Sequence, residues 1–186
     1  MTRTVALTML TSFALAFAAA AQGQPAPAPS GPPAPAHSAA PSTYATPIGA
    51  PIGLEAAKKV AAAAAAEAVK DHWFMAIAVV DPAGVLVYYQ KADTTQNGSA
   101  EVAIAKARSS ALYKRPTKAF QDAVAGGGMG LRILGLPGAV PLDGGLPLLV
   151  EGKLVGAVGV SGDLAENDGK CAAAGAAALA PAAAAK

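Results

Sequence analysis

Few side chains in this sequence can do chemistry, and their spacing sorts them quickly. There are 2 histidines and 1 cysteine in 186 residues. His37 lies in an Ala-Pro tract, so any nucleophile-histidine pair would have to use His72, in Lys70-Asp71-His72-Trp73. Gly159-Val160-Ser161-Gly162 is not the nucleophile elbow G-x-S-x-G, and Ser161 reads as a strand-end turn residue. Cys171 has no partner for an internal disulfide, no Cys/His set has zinc spacing, and an alanine-rich neighbourhood makes it a small buried side chain. The run Gly126-Gly127-Gly128-Met129-Gly130 follows a helical pattern rather than a strand, so it reads as a flexible loop and not as a phosphate cradle. No acid/base pair is evident from spacing, which disfavours an isomerase or lyase. The residues describe a binder more readily than an enzyme.

The cations carry more information. Lys106, Arg108, Lys114, Arg115 and Lys118 fall within Val102 to Gln121, a stretch with no acidic residue. On a helix, Lys106 and Arg108 point about 200° apart, whereas Arg108 and Arg115, seven residues apart, share a stripe. Arg115-Pro116-Thr117 stands at a helix start, where N–H groups favour anions. Two readings stay open: a solvated helix face, or an anchor for carboxylates.

These residues need elements to hold them. Leu54 to Asp71 is rich in strong helix formers, with Leu54, Ala57, Ala61, Ala64 and Ala68 on one stripe. Phe74 to Val80 and Val85 to Gln90 read as strands. Asp81-Pro82-Ala83-Gly84 between them suits a type I turn with a left-handed glycine. Ser99 caps a helix from Ala100 to about Lys114, and Pro116 ends it. Thr117 opens a short helix to Val124. Pro147 to Val150 and Leu154 to Val160 form a second hairpin around Glu151-Gly152. A last alanine-rich helix begins at Asp168 or Gly169 and runs to Ala180. Two hairpins flanked by helices predict an α+β fold, a central antiparallel sheet with helices packed on it.

Composition bounds the rest. Hydrophobic residues make up 53% of the chain, but 50 of them are alanine, so positive mean hydropathy does not argue for a membrane protein. No Asp, Glu, Lys or Arg occurs from Thr4 to Leu54, and Glu55 to Lys170 holds 12 of each sign. The net charge of +2 thus comes from Arg3 and Lys186, and a nucleic-acid partner is disfavoured. Residues 1–21 predict a signal peptide: Arg3, an apolar stretch from Val5 to Phe17, then small residues before Gln22. That stretch is short for a bilayer-spanning helix, so no stable membrane insertion is expected after cleavage, and the location is periplasmic or secreted. Residues 22–53, with 9 of the 15 prolines, predict a Pro/Ala-rich disordered linker. Residues 54–180 form the folded domain and 181–186 a frayed tail.

Three long segments then become familiar together: MAIAVVDPAGVLVYYQKAD, SAEVAIAKARSSALYKRPTKAFQDAV and LGLPGAVPLDGGLPLLVEGKLVGAVGVSG. They resemble the GlcG/HbpS-type haem-binding (haem-degrading) domain family over nearly all of Leu54 to Leu179, in order and spacing. The resemblance implies a profilin-like fold, a homo-oligomer and a small-molecule ligand, with haem or a related tetrapyrrole as the cofactor and degradation through its iron. Haem propionates would then be held by Arg115, the N–H groups near Thr117, Arg108 and Lys118. His72 becomes the candidate axial ligand, against its plainer reading as a C-terminal helix partner. Tyr88, Tyr89, Met75 and Met129 carry further donor atoms. The alternative is an accessory module for a small carboxylate, of the glycolate type, with no catalysis of its own.

Overall fold

The computed structural model describes residues 45–179. The expected leader and tail, and residues 22–44 of the spacer, lie outside the described residues. Four helices and four strands follow in chain order. They are α1 (Leu54–Lys70), β1 (Ala76–Val80), β2 (Leu86–Lys91), α2 (Gly98–Tyr113), α3 (Thr117–Ala125), β3 (Gly145–Val150), β4 (Lys153–Ser161) and α4 (Ala165–Ala177), with a 3-10 helix over Gly128–Gly135. The strands form one antiparallel sheet in the order β2-β1-β4-β3. The architecture is α+β, as the two hairpins predict.

Strand β1 is buried along its whole length because helices cover both sheet faces. Its side chains alternate with the period of two that a strand imposes. Ile77 and Val79 enter a core with Val60, Ala61 and Ala64 of α1 and Cys171 and Ala172 of α4. Ala76, Ala78 and Val80 face Ala103, Ala107 and Ala111 of α2. Small residues on both sides of this second interface let α2 come very close to the sheet. At Gly159 the approach is extreme, since a Cβ there would stand 2.1 Å from the Ala103 carbonyl oxygen and 2.5 Å from the Ala107 nitrogen.

The turns follow their chemistry. Gly84 takes φ +81, and Asp81 Oδ1 accepts hydrogen bonds from the N–H groups of Ala83 (2.8 Å) and Val85 (2.9 Å). Pro147 is tolerated because β3 is an edge strand. Four expectations need correction. Ser99 does not cap α2: the helix begins at Gly98, and Ser99 is buried within its first turn. The spacer does not run to residue 53: Leu154 N–H donates to Pro47 O, while Gly49 and Ile52 N–H donate to Leu154 and Val155 carbonyls, each at 2.8 Å, and Ile52 is buried. Helix α4 starts at Ala165, before Asp168, because Asp163 Oδ1 accepts from Leu164 N–H and from the Asn167 amide, securing the first turn. The glycine-rich stretch is not a loose loop but holds the 3-10 helix. Gly130 is pressed so hard on α3 that a Cβ would lie 1.8 Å from the Ala123 carbonyl oxygen.

Candidate functional site

The five cations of the acid-free stretch meet five different fates. Lys106 is buried, and its Nζ donates to Asp168 Oδ2 at 2.6 Å and to Val160 O at 3.1 Å. It joins α2, β4 and α4 from within. Burial pushes the Asp168 carboxyl up, against the hydrogen bond and charge of Lys106. Arg108 Nε donates to Gly84 O at 3.1 Å and secures the β1–β2 turn. Lys114 ends α2 at φ 53, and its Nζ donates to Thr46 O at 2.8 Å. Lys118 pairs with Asp122 one helical turn on, at 2.7 Å, which raises the lysine pKa.

Arg115 differs, because it lines a cleft. Its guanidinium carbon lies 5.1 Å from the centre of the buried Phe120 ring, and its Nε donates to Tyr113 O at 3.3 Å. The cleft, about 310 Å³, is closed by Ala119 and Ala123 of α3 and by Met129, Gly130, Arg132 and Ile133 of the 3-10 helix. Three residues per turn place Met129 beside Arg132, and Gly130 beside Ile133. The chain just beyond this 3-10 helix is fixed from several directions. Tyr113 Oη donates to Pro137 O at 2.6 Å, Val140 N–H donates to Ser109 Oγ at 3.0 Å, and Asp143 N–H donates to Gln121 Oε1 at 2.7 Å. Tyr113 also packs edge-on against Phe120, 5.4 Å between centroids.

The remaining candidates lie elsewhere or are occupied. Thr117 is buried, and its Oγ1 accepts the Gly145 N–H at 2.9 Å, tying α3 to β3. Arg108 does not line the Arg115 cleft. Helix α2 stops at Tyr113, so the seven-residue stripe that would align the two arginines is broken. His72 is exposed at φ 57, just past α1, with its N–H donating to Val69 O and that of Trp73 to Ala68 O. That is a helix-ending motif with histidine in the left-handed position. A second, smaller cleft of about 200 Å³ lies nearby, against Trp73, Met75 and Ile77, and His72 does not line it either.

A family model described as haem degrading protein HbpS-like matches residues 52–177. The chain belongs to the HbpS-like family. Protein GlcG of Escherichia coli is 36% identical over 105 residues, covering 56% of this chain and 77% of that protein. The HbpS of Streptomyces reticuli, solved as a double mutant, superposes with a TM-score of 0.65 at 31% identity, over 72% of this chain and 90% of the other. A PduOC–haem complex gives 0.63 at 25% identity, over 70% and 96%.

Within the HbpS-like domain, sequence reasoning singled out Arg115 but missed Arg132 and Phe120, which line the same cleft. A weak signal for Arg132 existed: a lone cation in Gly-Met-Gly-Leu-Arg-Ile-Leu-Gly, among apolar and glycine residues. It also missed the Lys106–Asp168 pair, whose partners are 62 residues apart. Among the described residues no group of three or more His, Cys, Asp or Glu could hold a bare metal ion. No helix of the described residues is long and apolar enough to cross a membrane. Cys171 is an inert core thiol, pushed up to about 11 by burial and by neighbouring carboxylates.

Proposed function

We propose that this chain is an exported binder of haem or a related tetrapyrrole, and that the ligand seats in the Arg115 cleft. The observation that carries the reading is the pairing of two guanidiniums with an apolar, aromatic-floored wall in one concavity. Such a lining suits a flat, apolar molecule with anionic edges: Arg115 and Arg132 meet the carboxylates, and Phe120, Ile133 and the alanines meet the ring. The family description and the haem complex of a relative at 25% identity support it. When bound, haem supplies redox-active iron for the degradation named in the family description; this chain's residues hold and orient it.

The test is a haemin titration followed by absorbance, with wild-type protein and Arg115→Ala. One lost charge-assisted hydrogen bond corresponds to about 1.5–3 kcal/mol, or roughly 10- to 150-fold in affinity. Saturable wild-type binding weakened to that extent supports the reading. Wild-type protein that fails to bind haemin saturably refutes it. The similarity to GlcG and the same two arginines favour a second reading, a small carboxylate in the cleft. Calorimetric titration with glycolate and related acids tests that reading, with Arg115→Ala again expected to weaken binding.

A further inference from the structure

The smaller cleft, of about 200 Å³, combines an apolar body with a set of polar atoms that mostly donate. Helix α1 contributes Ala65 and Ala68, three residues apart on one stripe, and their short side chains leave space that a larger one would fill. Met75 and Ile77 add buried apolar surface. Trp73 gives a flat wall, and Lys170 of α4 steadies its ring, with Nζ 5.4 Å from the ring centre.

The polar side chains of the lining are Trp73, Gln90 and Lys91, and no acidic residue joins them. An indole N–H and an ammonium can only donate. Tyr88, two residues from Gln90 on the same face of β2, donates from its Oη to Gln90 Oε1 at 3.2 Å. That bond uses the acceptor of the Gln90 amide and leaves its NH2 group to offer. Lys91 is exposed, and its Nζ donates to Thr95 O at 3.4 Å, a long bond that takes one of the three donors of the ammonium. What this lining lacks is an anionic acceptor.

We propose that this cleft is a second ligand site, separate from the Arg115 cleft, for a small monocarboxylate with an aromatic body. The ring packs against Trp73, Met75 and Ile77, and the carboxylate accepts from Lys91 and Gln90. Volume sets the class: the cleft falls below the roughly 300–1,000 Å³ of pockets for drug-sized ligands, so it admits a single ring and excludes a tetrapyrrole. Charge sets the functional group, since an ammonium binds a carboxylate more strongly than a neutral acceptor of the same shape.

Trp73 is the one tryptophan of the chain, so intrinsic fluorescence reads this cleft directly. The experiment titrates benzoate, and benzamide as its uncharged counterpart, into wild type, Lys91→Met and Ala65→Leu. Wild type is expected to show a saturable change in Trp73 emission with benzoate, and binding about tenfold weaker with benzamide. Lys91→Met should weaken benzoate about tenfold, the lower end for a lost charge-assisted hydrogen bond because the lysine is exposed. Ala65→Leu, which fills the cleft from α1, should abolish the benzoate response and leave the haemin titration unchanged. Equal urea midpoints for the three proteins establish that folding is intact. An unsaturable wild-type response, benzamide binding as tightly as benzoate, or Lys91→Met behaving as wild type overturns the proposal and leaves the haem reading standing. Haemin binding lost in Ala65→Leu overturns the separation of the two sites, and with it the proposal.

Discussion

Removing either partner of the Lys106–Asp168 pair should be the most damaging polar substitution in the domain. Both side chains are almost completely buried, at 2% and 3% exposure, so solvent screening does not discount the interaction. Lys106→Met leaves a buried carboxylate without its cation, and Asp168→Asn leaves a buried ammonium without its anion. Each should cost about 3–5 kcal/mol, a large share of the roughly 5–15 kcal/mol that holds a domain together. With a urea slope of about 2 kcal/mol/M, the midpoint should fall by roughly 1.5–2.5 M. A double variant, Lys106→Met with Asp168→Leu, removes both charges but also the acceptor that Asp163 N–H uses at 3.2 Å. It should therefore recover most of the loss, less about 1–3 kcal/mol for the unpaired amide. The pH dependence has a definite sign. Burial already raises the Asp168 pKa in the fold, and removing Lys106 raises it further. A raised carboxyl stabilises the fold most below the ordinary carboxylate range, and that contribution fades as pH rises through the folded value. Lys106→Met should therefore lose stability from pH 4 upward more steeply than wild type, by about 1.4 kcal/mol for each additional pKa unit. Urea unfolding by circular dichroism across pH 4–8 measures all of this. Single variants costing under about 1 kcal/mol, or a double variant worse than the sum of the singles, would refute the reasoning.

Gly159→Ala should cost about 3 kcal/mol or more, since its Cβ would meet backbone of α2 that cannot step aside, whereas Gly53→Ala, with nothing within 4 Å, should cost no more than about 1 kcal/mol, the loss of a glycine at the cap of α1; thermal unfolding separates them. Export predicts mature protein beginning at or near Gln22, and N-terminal sequencing of extracytoplasmic material that returns Met1 or Thr2 would overturn it. Val69, Phe74 and Leu164 stand exposed, which with the implied family habit predicts a homo-oligomer; light scattering that finds only monomer would contradict this.

The elements were legible wherever local chemistry decides them. The 3.6-residue stripe of α1, the Asp-Pro-Ala-Gly turn and the break at Pro116 are set by neighbours in sequence, and the structure keeps each. One stripe member shifted: Leu54 is exposed at the first turn, and Val60 takes the core position instead. The spacer boundary was harder to place. Nothing apolar and periodic marks Pro47 to Ile52, because those residues are held by backbone hydrogen bonds to β4, and backbone groups are the same in every residue but proline.

The site was half legible, and the illegible half has a physical cause. A lysine that reads as one more solvated cation becomes a core residue only because α4 brings Asp168 to it, a contact no periodicity contains. The alignment of Arg108 with Arg115 failed for a reason already present in the chain. A residue before proline is pushed out of the helical region by the proline ring. Arg115 precedes Pro116, so a stripe drawn through Arg115 on a continuous helix conflicts with the proline read as that helix's end. Lys114 turning to φ 53 is the local resolution of that conflict. It swings the chain so that Arg115 faces Phe120 and the 3-10 wall instead of the sheet. The proline that stops α2 is thus what separates a structural arginine at the Gly84 turn from the one that lines a cleft.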